Sequence, residues 1–323
     1  AIGDSMTYGT MAASRHTWPA WLQRLSGSRV YNLGMATYGP LDYLHLLQTR
    51  ASKLQPKTVV VGLYLGNDIL DAFRAAYLTG HWASLRDPAL ADIFSPDDPS
   101  TTRTFADFER PGGWPARSIP GSEIRSWFKR HSVVYGMVRA NLLSLLQPVE
   151  LHFFRESGRP VTVLEHESDL LTVLDPVGRF RWMDPGDPRL PAGQQLTFKA
   201  LEAIGQWCEV GEVTLLVTII PTKINVFYPY FLRFGDSKQA DLMKRLVEAE
   251  NKWRSEIESW LDERSIAHTD PLEDLRQRVP DEAIYPNSRN GHPTASGYRV
   301  IAEDVQRALS ISSTRISAEA HAP

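Results

Sequence analysis

Four residues spread along this chain have the types and the settings for acyl-transfer chemistry: Ser5, Gly34, Asn67 and His292. Ser5 lies in Gly3-Asp4-Ser5-Met6-Thr7-Tyr8-Gly9, directly after a short apolar segment, where a strand turning into a loop would present its hydroxyl to a crevice. The same heptapeptide reads as a glycine-rich turn or a phosphate cradle. The cradle is disfavoured, because Asp4 puts a carboxylate where an anion would bind and Gly-x-Gly-x-x-Gly is absent. Asn32-Leu33-Gly34 offers a glycine whose backbone N–H can approach a substrate oxygen, or an ordinary turn. In Gly66-Asn67-Asp68 an Asn amide can donate to a developing oxyanion; the pair also reads as a helix cap, with Asp68 capping and Asn67 pointing inward. Asn290-Gly291-His292-Pro293-Thr294 carries one of nine histidines. Its place just before the last helical pattern lets an imidazole reach a serine as general base.

The elements that must position these residues alternate. Ala1-Ile2 reads as the end of a strand, Thr17 to Leu25 as a helix with proline in its first turn, and Val30-Tyr31-Asn32 as a short strand. Leu41 to Leu54 has helical apolar spacing, and Thr58 to Leu65 is the continuous apolar run of a strand covered on both faces. The pattern resumes with a helix over 194–208, a buried strand over 213–220 ending at Pro221-Thr222-Lys223, and a long amphipathic helix over 237–263. A short strand over 266–270 and a final helix over 294–309 complete it. Such alternation predicts a flavodoxin-like, doubly wound parallel sheet of about five strands with helices on both faces, a three-layer α/β/α arrangement. All four candidate residues fall at carboxyl ends of strands, where function gathers in such sheets.

Residues 71–190 interrupt this rhythm with Pro-, Asp- and aromatic-rich sequence. We read them as a large insertion after the third strand, a lid or substrate-binding subdomain within one domain spanning 1–323. It contains a predicted helix over 122–146 and a predicted hairpin over 161–174. Trp114, Trp127, Phe128, Phe153, Phe154 and Trp182 supply aromatic area for a sugar or acyl pocket, or simply for the insertion's own core. Residues 311–323 read as a disordered tail. The chain opens at Ala1 without a methionine and is expected to be truncated at its N-terminus, so any targeting segment would lie upstream and localisation stays open.

Composition narrows the partners. With 42% hydrophobic and 23% charged residues, a net charge of −3 and no long basic run, nothing points to nucleic acid. The single cysteine, Cys208, allows neither an intrachain disulfide nor a cysteine-rich metal site, and no cofactor or metal is expected. The longest strongly apolar stretch, over 213–220, is far short of the roughly 20 residues of a membrane span.

The four blocks together resemble the SGNH (GDSL-like) hydrolases, whose name collects Ser, Gly, Asn and His in this order. Thr17-Trp18-Pro19, Tyr38-Gly39-Pro40 and Gly62-Leu63-Tyr64 agree in detail. The resemblance covers the first 70 residues and about the last 110. It implies a serine esterase with Ser5 as nucleophile and His292 as base. The Ser5 and Gly34 N–H groups and the Asn67 side chain would form the oxyanion hole, and the substrate would be an acetyl or short-chain ester, including O-acylated carbohydrate. The family's Asp, two or three residues before the histidine, is replaced by Asn290 or Arg289. A Ser–His dyad oriented by a carbonyl, a carboxylate brought from Asp281 or Asp270, or an inactivating Asn290 are the alternatives. The rival functions are an O-acyltransferase using the same residues on a polysaccharide, and a catalytically weakened carbohydrate-binding module.

Overall fold

The structure, a computed structural model, describes residues 1–77, 82–90, 161–166, 169–235 and 239–319. The predicted helix over 122–146 and the aromatic residues Trp114, Trp127, Phe128, Phe153 and Phe154 lie outside them. β1 (Ile2–Gly3) is followed by a single helical turn, α1 (Ser5–Tyr8), then by α2 (Trp18–Ser26), α3 (Pro40–Thr49), β2 (Thr58–Tyr64) and α4 (Asp68–Tyr77). The hairpin β3 (Thr162–His166) and β4 (Asp169–Leu174) leads into α5 (Pro176–Met183) and α6 (Arg189–Val210). Next come β5 (Thr214–Ile220), α7 (Lys223–Phe234), α8 (Ala240–Glu263), β6 (Ala267–Thr269), α9 (Leu272–Arg278) and α10 (Ala295–Glu319).

The main sheet is parallel, in the order β1-β2-β5-β6. Side chains alternate across it, as the period of two requires. Val59, Val61 and Leu63 of β2 join Tyr43 and Leu47 of α3 and Leu201 and Ile204 of α6. Val60 and Tyr64 face the other way, toward Trp18 and Leu22 of α2 and Val300 and Ile301 of α10. Burying both faces explains the uninterrupted apolar run, each such side chain contributing about 1.5–3 kcal/mol. This is the three-layer α/β architecture the alternating elements predict.

The segment expected as a second strand is not a regular one. It runs extended along the outer edge of β1, where Leu33 N–H donates to Ala1 O at 2.9 Å and Met35 N–H to Gly3 O at 3.0 Å. The Ala1 backbone nitrogen donates back to Tyr31 O at 2.9 Å. β1 is two residues long, too short a rail for a full ladder, yet the segment occupies the fifth-strand position. The spatial order is thus the flavodoxin-like 2-1-3-4-5.

Several elements differ from the sequence reading, among them α5 and α9, which it does not contain. α7 was hidden by Pro229, which lies inside it. The proline removes the hydrogen bond to the Asn225 carbonyl, and Arg276 Nη2 supplies it instead at 3.0 Å. The last helix continues past Leu309 to Glu319, into the expected tail. α4, which reaches seven residues into the expected insertion, is packed in the body: Gly193 of α6 faces the Ile69 carbonyl so closely that a Cβ would collide with it. The predicted hairpin is present as β3–β4 and docks on the loop after α9, where Thr172 Oγ1 donates to Pro286 O at 3.2 Å. No helix among the described residues is long and apolar enough to cross a membrane.

Candidate active site

Ser5 is the first residue of α1. Asp4 caps that turn, its Oδ1 accepting the Met6 N–H at 2.8 Å. The turn closes after four residues because Gly9 takes a left-handed conformation (φ 88°) and returns its N–H to Ser5 O at 3.0 Å. The result points the half-buried Ser5 hydroxyl across the carboxyl end of the sheet.

His292 arrives from the other end of the chain on a loop held at many points. Lys223, the first residue of α7, donates its buried Nζ to three carbonyls of that loop: Pro286 at 2.9 Å, Ser288 at 2.6 Å and Asn290 at 3.3 Å. Thr294 fixes the exit by donating its N–H to Ile284 O at 3.0 Å and its hydroxyl to Ala283 O at 2.6 Å. Tyr298 OH of α10 then reaches Thr10 O at 3.0 Å, tying the histidine's helix to the serine's loop.

Ser5 Oγ and His292 Nε2 are 2.9 Å apart, and His292 Nδ1 is 2.8 Å from Asn290 Oδ1. The same Oδ1 accepts the His292 backbone N–H at 2.9 Å. A backbone N–H can only donate, so it fixes which end of the amide faces the ring. The oxygen accepts from Nδ1–H and leaves Nε2 unprotonated toward Ser5. Asn290 therefore orients the imidazole as a carboxylate would, without its charge. Asp270 instead binds Arg254 Nε at 2.6 Å, and neither it nor Asp281 reaches His292. Burial, and secondarily the Arg179 guanidinium, lower the His292 pKa to about 4.

Gly34 is buried against α1, and a Cβ there would collide with Tyr8 N and the Thr7 carbonyl carbon. Its N–H donates to Asn32 Oδ1 at 2.9 Å, and Asn32 Nδ2 donates to Thr7 O at 2.9 Å, so Asn32 braces the turn. Asn67 Nδ2 donates to Asp71 Oδ2 at 2.6 Å and also stabilises the Asp4 carboxylate. The Ser5 N–H heads the α1 turn and donates to no acceptor among the described residues. Asp68 does not cap α4; its fully buried carboxylate turns back to accept from Tyr64 N at 2.9 Å and Tyr43 OH at 2.8 Å. Burial raises the pKa values of Asp4 and Asp71 to about 6 each and that of Asp68 well above the usual carboxylate range. Asp4 also competes with His292 for the Ser5 hydroxyl, since its Oδ2 lies 3.1 Å from Ser5 Oγ.

The structure thus brings Ser5, His292, Asn290, Gly34 and Asn67 to one crevice. Three participants were not singled out from sequence: Lys223, Asn32 and Arg179 of α5. Arg179 Nη1 donates to Gly66 O at 2.9 Å, immediately before Asn67, and the guanidinium sits over the Tyr64 ring. In the sequence Lys223 marks only the end of a strand and Asn32 only the start of a glycine turn. Arg179 lies in the insertion, where no pattern marked it. Among the described residues no group of three or more His, Cys, Asp or Glu side chains is placed to hold a metal ion.

No protein-family model matches the chain, and a search of curated proteins finds no match. Among solved structures the chain is similar to a protein from Desulfitobacterium hafniense DCB-2 assigned as a lipolytic member of the G-D-S-L family. The TM-score is 0.45 at 12% identity, over 95% of this chain and 96% of that one.

Proposed function

We propose that the protein is a serine ester hydrolase that works through an acyl-Ser5 intermediate. The observation that carries this reading is the relay from Ser5 Oγ to His292 Nε2 at 2.9 Å and from His292 Nδ1 to Asn290 Oδ1 at 2.8 Å. At neutral pH an imidazole of pKa about 4 is unprotonated, the form a general base needs. Ser5 attacks the ester carbonyl as its proton passes to Nε2. The oxyanion that forms is met by the Ser5 N–H, with the Asn67 amide joining by sharing the hydrogen it gives to Asp4 and the Gly34 N–H by sharing its hydrogen with Asn32. His292 returns the proton to the leaving alcohol, and water, activated by the same imidazole, releases the acyl group.

The missing charge at Asn290 makes this a slow version of the relay, because an amide oxygen opposite Nδ1 stabilises the imidazolium less than a carboxylate would. A cleft of about 490 Å3 beside Gly34, lined by Tyr8, Leu33, Met35, Tyr38 and Leu46, offers an apolar seat for an acetyl or short acyl chain. O-acylated carbohydrate is the proposed natural substrate class. The test is hydrolysis of p-nitrophenyl acetate and its longer homologues by the parent, Ser5→Ala, His292→Ala and Asn67→Ala. Expected is loss of turnover in the first two variants and a fall of about 10²- to 10³-fold in kcat in the third, the usual cost of one oxyanion donor. Turnover that survives Ser5→Ala would overturn the proposal.

A further inference from the structure

The two cavities flanking the Ser5–His292 pair have walls of different character. The one beside Gly34 is apolar, as described. The one beside Gly291 measures about 170 Å3; Arg179, Lys223 and Arg289 line it together with Asp175, Trp182 and apolar residues that include Leu174 and Ile224.

Two of these cations have no carboxylate partner among the described residues. Arg179 spends one Nη1 hydrogen on Gly66 O and rests over Tyr64. Lys223, buried to 4% exposure, spends its hydrogens on the three loop carbonyls. Asp175 is turned to the start of α5, where its Oδ1 accepts the Gly178 N–H at 2.8 Å, and it makes no ion pair with Arg179. Withdrawn cations are normally paired. Arg179, without a carboxylate partner among the described residues, gives this small cavity a positive field with most of its own donors still available; Lys223, whose pKa burial lowers to about 7, adds part of a charge. Arg179 Nη2 lies 3.1 Å from where a Cβ on Gly291 would sit, so the absent side chain leaves the guanidinium open next to the histidine loop.

The position of this field says which half of the ester meets it. The leaving oxygen must lie at His292 Nε2 to receive its proton, and the cationic cavity adjoins that loop. The acyl chain lies on the Gly34 side. We infer that the Gly291 cavity takes a carboxylate carried by the alcohol part of the substrate, and that Arg179 selects for it. The substrate class is then an O-acylated sugar acid or comparable hydroxy acid, an assignment that rests on the acid role given to His292 above.

The probes are O-acetylated glucuronate and O-acetylated glucose, acetylated at the same position and differing by a carboxylate. Binding is measured by titration calorimetry on Ser5→Ala, where turnover does not intervene, and acetate release is measured on the parent. Expected on Ser5→Ala is a Kd lower for the acid by about tenfold or more, as a charge-assisted contact provides. Adding Arg179→Met should bring the ratio of the two affinities to near one, and Arg179→Lys should restore part of it. Comparing two ligands in one variant cancels any general loosening of the site. Arg179→Gln, which keeps a donor for Gly66 O, replaces the methionine variant if that one does not fold. Equal affinities, or a preference untouched by the Arg179 changes, would overturn the inference. Selective binding without acetate release would overturn the hydrolase reading alone. Release from both esters at equal kcat/KM would overturn the anion site alone.

Discussion

Replacing Asn290 with Asp adds one charge and no new geometry. In the parent, Asn290 Oδ1 already accepts from His292 Nδ1 at 2.8 Å and from the His292 backbone N–H at 2.9 Å, so the tautomer is set. What is missing is attraction between a carboxylate and the imidazolium of the transition state. With charge centres about 4 Å apart and an effective dielectric of about 20, that attraction is about 4 kcal/mol. The Asn290 amide dipole already supplies part of this, roughly half, leaving a gain of about 2 kcal/mol, or about 10- to 100-fold in kcat/KM at pH 7. The same charge favours protonated His292, so the acid limb of the pH–rate profile, near 4 in the parent, should move up by about one and a half pH units. Steady-state hydrolysis of p-nitrophenyl acetate from pH 3.5 to 8 reads both effects. A gain near 10⁴ would refute the reasoning, because that is the cost of an amide that holds the wrong tautomer. No gain, with an unmoved acid limb, would refute the electrostatic part.

Other consequences follow from the same geometry. Gly34→Ala should lower stability by about 1–3 kcal/mol in urea unfolding and displace α1, with activity falling more than stability, since the Cβ would strike the backbone that carries Ser5. Lys223→Met should cost about 2–3 kcal/mol by leaving the Pro286, Ser288 and Asn290 carbonyls without their buried donor, and should speed amide hydrogen exchange over 286–292. The Asp4 carboxyl, raised to about 6 by burial, contributes stability that is complete below the unfolded value of 3.8 and is lost as pH rises through 6. Asp4→Asn should therefore reduce the stability lost between pH 4 and 7 by about 2 kcal/mol, measured by urea unfolding at each pH.

The parallel core and its helices were legible in the sequence because both faces of the sheet are covered. The run over 58–65 and the run over 213–220 had no polar face to confuse them with anything else, and β2 and β5 follow them closely. α2 was legible from the proline in its first turn, and Thr17 Oγ1 caps it by accepting the Ala20 N–H. The edge segment at 31–35 was harder to read because its partner strand is two residues long, and α7 was hidden by a proline whose lost hydrogen bond is replaced from 47 positions further along, by Arg276. Ser5, Gly34 and Asn67 stood out because each follows an extended segment with a local signature, and His292 because it directly precedes the last helix. Lys223 and Arg179 act across long sequence separations, through loop carbonyls and an open cavity, and nothing local in the sequence marks either role.

The measurement that bears most directly on the central claim is covalent capture of the nucleophile. The parent and Asn290→Asp proteins would be treated with an alkyl fluorophosphonate at pH 7, digested, and the labelled residue identified by mass spectrometry. Expected is a single adduct on Ser5, faster in Asn290→Asp and abolished in His292→Ala. An adduct on another residue, or labelling of Ser5 at the same rate with and without His292, would contradict the relay from which the activity has been argued.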